Sequence, residues 1–115
     1  MLGYQYHRKA ELDNYNQKVM DSAKLAFSGS AAEKTAFAAE VFEKMQQNPR
    51  DLRWKRLYGT IQIDFFKNYP QAIAIMEDIY QQTHDNHMLI GICILKEKIK
   101  SPFQECYENV LRNVE

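Results

Sequence analysis

The sequence predicts an all-α protein: about six short antiparallel helices, forming a compact bundle or a short stack of helical hairpins. Three observations carry this. Apolar residues recur at helical spacing through the stretch Arg50 to Thr83. Ser30-Ala31-Ala32-Glu33 has the form of a capping box and opens an alanine-rich amphipathic run. Pro70 and Pro102 stand where apolar runs restart, at links of about two to four residues.

In the first predicted helix, residues 4–27, Tyr4, Leu12, Tyr15, Val19, Ala23, Ala26 and Phe27 share a face. Its first half is polar, so residues 1–11 are expected to fray, to project, or to pack on a second molecule. Gly29 suits a helix end that turns through the left-handed region. In the second helix the expected buried face is Phe37, Ala38, Val41, Phe42 and Met45, and Pro49 ends the run.

Asp51 to Asn68 reads as the central helix. Trp54, Leu57, Tyr58, Ile61 and Phe65 make one apolar face, and Leu52, Gly59, Ile63 and Phe66 a second strip beside it. A helix apolar over most of its circumference has neighbours on several sides. Gly59 in its interior points to close approach by another helix. After Pro70, the residues Ala72, Ile73, Ile75, Met76, Ile79 and Tyr80 cover one arc. Asp85 or Asn86 is placed to cap the next helix. Its core, Met88 to Leu95, is apolar all round. Ser101 and Pro102 are expected to start a last helix that buries Phe103, Cys106, Tyr107, Val110 and Leu111. The alternative is an α+β arrangement with strands near 60–66 and 88–95, where Ile61 to Phe65 alternates and Met88 to Leu95 lacks a clear period.

Leu57-x-Gly59 with Pro70 recurs as Leu89-x-Gly91 with Pro102. The stretch from Trp54 to Tyr80 resembles a tetratricopeptide unit in Trp54-x-x-Leu57, a glycine, and a second helix of small and bulky apolar residues. It departs from that pattern because leucine and glycine are not adjacent, the turn glycine is absent, and the proline falls at another joint. The resemblance implies stacked helical hairpins over two short stretches, and no membership is assigned from it.

A chain of 115 residues is expected to form one domain over 1–115. Its 15 basic and 15 acidic residues cancel, which removes any global pull toward nucleic acid or anionic lipid. No apolar run approaches the ~20 residues of a membrane span. The start, MLGYQYHRKAEL, is too polar for a secretory signal, so a cytoplasmic location is expected. Cys93 and Cys106 then read as buried free thiols, with a disulfide across the last hairpin as the alternative.

No phosphate loop, Gly-x-Ser-x-Gly or Cys-x-x-Cys occurs. His84, Asp85 and His87 have the types for a metal site, but the expected reading is a solvated connector with a helix cap. Neither a metal nor a cofactor is expected. Arg50, Arg53, Lys55 and Arg56 surround Trp54, a grouping able to hold a carboxylate or a phosphate. Asp64 falls on the polar wedge with Lys67 and forms no catalytic pair. Seven tyrosines and five methionines favour adaptable contact. The expectation is therefore a non-enzymatic protein-protein interaction module: a regulator, an adaptor or an immunity-type partner. Its contact residues would be Arg50, Arg53, Lys55 and Arg56, with Tyr4 and Tyr6 on a first helix that self-associates. The alternatives are a nucleic-acid-binding regulator using the basic turn, and a small-molecule-binding domain or enzyme with a pocket between helices.

Overall fold

A computed structural model describes the backbone of residues 2–114 and the side chains of residues 9–113. Its elements are α1 (Leu2–Ser28), α2 (Ala31–Gln47), α3 (Leu52–Asp64), α4 (Tyr69–Thr83), α5 (Asn86–Lys98) and α6 (Gln104–Val114). The fold is all-α. Of the alternative strands near 60–66 and 88–95, residues 60–64 and 88–95 lie inside α3 and α5, and 65–66 form a turn. Apolar burial on a helical period outweighs the short alternation at Ile61 to Phe65. The chain divides into two compact units, Met1–Leu57 and Tyr58–Glu115, with the boundary inside α3.

In the first unit α1 packs on α2. Ser30 starts α2 as read from the sequence. Its hydroxyl accepts from the Glu33 amide at 3.1 Å, and the Glu33 carboxylate accepts from the Ser30 amide at 3.1 Å. Phe37, Ala38 and Val41 are buried. Phe42 is not the core residue expected, at 38% exposure. Gly29 is also corrected: its φ is not positive. It is small because a Cβ there would meet the Leu25 carbonyl oxygen at 2.7 Å.

In the second unit α4 packs on α5 and α5 on α6. Ala72 and Ile73 of α4 meet Leu89, Ile92 and Cys93 of α5, and Cys106 and Val110 of α6 close the cluster. Gly59 makes the expected close approach, since a Cβ there would lie 3.3 Å from Ile75 Cγ2. Asp85 caps α5 by accepting from the His87 amide at 2.9 Å.

Three helices close through a residue at positive φ; the ends of α3 and α5 differ from expectation, while α4 ends at Thr83 as expected. α3 stops at Asp64 rather than Asn68, and Lys67, at φ 53°, donates its amide to the Ile63 carbonyl. α4 closes the same way on His84, at φ 54°, whose amide donates to Tyr80. α5 closes through Lys100 at φ 57°, and the Ser101 amide donates to the Lys96 carbonyl at 2.9 Å. Ser101 therefore finishes α5 instead of starting α6. Pro102 keeps the residue before it out of the α region, and α6 begins only at Gln104. Leu111, expected in the core, is 69% exposed.

Cys93 and Cys106 are not free thiols. They form a disulfide between α5 and α6, with Cα atoms 5.6 Å apart. Burial on facing helices at this separation suits the bond. No helix among the described residues is long and apolar enough to cross a membrane.

Candidate functional site

The basic turn is built around Asp51. Its carboxylate accepts from the Arg53 amide at 3.0 Å, from Arg53 Nε at 2.9 Å and from Arg53 Nη2 at 2.7 Å. This fork–carboxylate pair is the strong kind of hydrogen bond. The Arg53 side-chain hydrogen bond holds the Asp51 carboxyl below its usual range, against the opposing effect of burial. The same bond raises the Arg53 guanidinium. The Arg53 Cζ also lies 5.3 Å from the centre of the Tyr15 ring. Tyr15 meets Trp54 edge to face at 5.3 Å, and partial burial pushes its hydroxyl pKa up.

Trp54 is 5% exposed, so its face is packed and offers no platform to a base. Arg53 is oriented toward Asp51 and Tyr15. Arg50 and Arg56 are exposed, and Lys55 is half-buried. The side chains of Tyr4 and Tyr6 fall outside the described residues.

A second feature lies on α1, where the expected apolar face is only partly packed. The side of α1 that packs is Tyr15, Lys18, Ser22 and Ala26, with Ser22 buried. Lys18 Nζ reaches Glu40 at 2.6 Å and stands over the Phe37 ring at 5.6 Å. Of the expected face, Tyr15 and Ala26 pack, while Leu12, Val19, Ala23 and Phe27 are turned outward, with Met20 beside them. Leu12 is 44% exposed, Val19 40%, Met20 56% and Phe27 96%. The signal that would have found this is the run Tyr15, Lys18, Ser22, at three- and four-residue spacing. Lysine and serine score as polar, so this run is masked, although a lysine stem packs well on apolar surface.

The second unit carries a cleft of about 420 Å³ between α4, α5 and α6. Leu89, Ile92 and Cys106 form its apolar lining, and Glu77, Lys96 and Glu105 add charge. Lys96 Nζ lies 3.8 Å from Glu77, and Tyr80 accepts at its hydroxyl from Asn113 at 2.8 Å. Among the described residues no group of three or more His, Cys, Asp or Glu side chains is arranged to hold a metal ion. His84 meets Tyr80 edge to face at 5.9 Å, and Asp85 serves as the α5 cap.

Comparison of the chain with protein-family models, with curated proteins and with solved structures finds no match.

Proposed function

We propose that this chain is a protein-binding module whose contact surface is the outer face of α1. The observation that carries the reading is the exposure of Leu12, Val19, Met20 and Phe27 along one side of that helix. A phenylalanine that is 96% exposed loses burial free energy on the order of 1.5–3 kcal/mol relative to a buried one. Single exposed apolar residues are ordinary, but several on one helix side, here interrupted by Asn16, favour contact with another macromolecule. Regulation, adaptor action or immunity-type pairing all work through such a surface without catalysis.

Photo-crosslinking tests this. A benzophenone side chain placed at Phe27 is irradiated in cells that make the protein. A covalent protein adduct supports the reading, and the absence of any protein adduct overturns it.

The basic turn gives weaker support to a nucleic-acid role, because the Arg53 fork is already occupied by Asp51. The cleft beside Cys106 favours a second reading, small-molecule binding. Its volume of about 420 Å³ falls in the range of ligand pockets. Chemical-shift changes confined to Ile92, Lys96 and Glu105 in a fragment screen would support that reading.

A cytoplasmic location is retained in the proposal, and the Cys93–Cys106 disulfide argues against it, since such bonds persist mainly in oxidising compartments. Rapid thiol alkylation in intact cells decides: two alkylated cysteines support the cytoplasm, and a protected pair rejects it.

A further inference from the structure

The binding reading leaves open what covers the α1 stripe. At about 100° per residue, Leu12, Val19, Met20, Ala23 and Phe27 fall within an arc of roughly 100°. The packed side, around Tyr15 and Ser22, lies roughly 100° from the middle of the stripe, which stays exposed. Asp13 and Lys24 border the stripe beside Met20, on the edge away from α2, and both are exposed. Among the described residues neither side chain is in an ion pair.

We infer that the stripe pairs with the same stripe of a second copy of this chain, as an antiparallel two-fold α1–α1 contact. The inference rests on the proposed role of this face. It is carried by the complementarity of Asp13 and Lys24. A two-fold axis across two antiparallel helices brings the same edge of each copy together, and its contacts are reciprocal. With the axis midway between Lys18 and Val19, Asp13 of each copy stands opposite Lys24 of the other. One register thus satisfies all four charges.

That register also aligns the apolar groups. Leu12 of one copy comes level with the step between Ala23 and Phe27 of the other, where alanine leaves room and phenylalanine closes over it. Residues 9–28 of the two copies overlap along roughly 30 Å at about 1.5 Å per residue. A parallel two-fold pairing would put the Asp13–Lys24 edge of each copy on opposite sides of the contact, where these charges meet no partner.

The test uses the full chain in sedimentation velocity over a concentration series. The expected result is a monomer–dimer equilibrium. Asp13→Lys and Lys24→Asp each replace two attractive contacts by two repulsive ones and weaken the dimer about tenfold. The double variant, Asp13→Lys with Lys24→Asp, restores it, because the exchanged charges meet again. All three variants keep the parent circular dichroism spectrum, since both positions are exposed. A chain that stays monomeric up to its solubility limit overturns the inference. So does a dimer that both single reversals leave unchanged, or one that the double reversal fails to restore. The benzophenone at Phe27 separates the two levels of failure. An adduct of twice the chain mass supports self-pairing. An adduct with a different protein only, from a monomeric chain, overturns self-pairing and leaves the binding reading standing. No protein adduct removes both.

Discussion

Cys93 in the middle of α5 and Cys106 in the first turn of α6 are joined by a disulfide, and both residues are buried in the core of the second unit. The bond ties the last helix to the same cluster that receives Ala72 and Ile73. It crosses the irregular stretch between Ile99 and Phe103, where Pro102 interrupts the helix.

Reduction should therefore loosen α6 first. The bond closes a loop with a sequence separation of 13. For a loop of this size, constraint of the unfolded chain contributes on the order of 2–4 kcal/mol. Urea unfolding of the paired Cys93→Ser and Cys106→Ser variant should show a loss of that size. Amide exchange should rise first in residues 104–113. Equal stability with and without the bond would mean that it contributes nothing to the fold.

The three left-handed helix ends make a second prediction. A side chain at positive φ costs an L-residue roughly 1–2 kcal/mol, and glycine escapes that cost while losing some of the gain to unfolded-state entropy. Lys67→Gly and Lys100→Gly should each stabilise the chain by about 0.5–1 kcal/mol. His84→Gly should gain less, because it also removes the edge-to-face contact with Tyr80 at 5.9 Å. Chemical denaturation of the three variants checks the ranking. Destabilisation by Lys67→Gly would refute the account of that helix end.

The same helix ends show where the sequence was readable. Ser30 with Glu33, and Asp85 before α5, were legible because a cap is a local device: one side chain and an amide two or three residues on. The glycine in α3 was legible because it is costly in a helix unless something packs close. Lys67 and Lys100 gave no signal, because lysine ends helices far less often than glycine and its backbone angle is set by the packing of the next segment. The packed side of α1 was hidden for a different reason. The packed side includes Lys18 and Ser22, and only its partners, Phe37 and Glu40 of α2 and Trp54 of α3, mark it as the buried one. The sequence shows that Leu12, Val19 and Phe27 align, and nothing local tells which way they point. The disulfide was not legible because the compartment expected from composition favours free thiols, while the bond depends on α5 and α6 facing each other.

Asp51 gives a pH prediction. Its carboxyl is held below the ordinary value by the Arg53 hydrogen bonds. The folded chain then binds that proton less readily than the unfolded one. The stabilising contribution is complete above the unfolded value, about 3.9, and is lost as pH falls through the lower folded value. Glu33, held low first by the Ser30 amide, acts with the same sign at the start of α2. Trp54, the only tryptophan, sits in the same turn and reports on it. Fluorescence-detected unfolding between about pH 2 and 5 should show stability falling with acid in the parent, with a shallower slope in Asp51→Asn. Parallel slopes would exclude Asp51 as the source.

Gly59 lies inside α3 and Gly91 inside α5, and each faces a residue of α4. A Cβ on Gly59 meets Ile75, and one on Gly91 meets the methyl end of Met76. Alanine is favoured over glycine in a helix interior by about 1 kcal/mol, so packing decides the sign at each position. At Gly91 the obstacle is the far end of a flexible thioether, which can swing aside at little cost. Gly91→Ala should therefore stabilise by about 0.5–1 kcal/mol. At Gly59 the obstacle is a buried β-branched side chain with one preferred rotamer, at 3.3 Å. There the helix gain and the strain nearly cancel for alanine. A larger side chain, as in Gly59→Leu, should cost about 1–3 kcal/mol through overpacking. Thermal and urea unfolding of the three variants tests the order Gly91→Ala above parent, Gly59→Ala near parent and Gly59→Leu below. A Gly91→Ala chain weaker than Gly59→Ala would show that Met76 is fixed, and that α5 rather than α3 makes the tighter contact with α4.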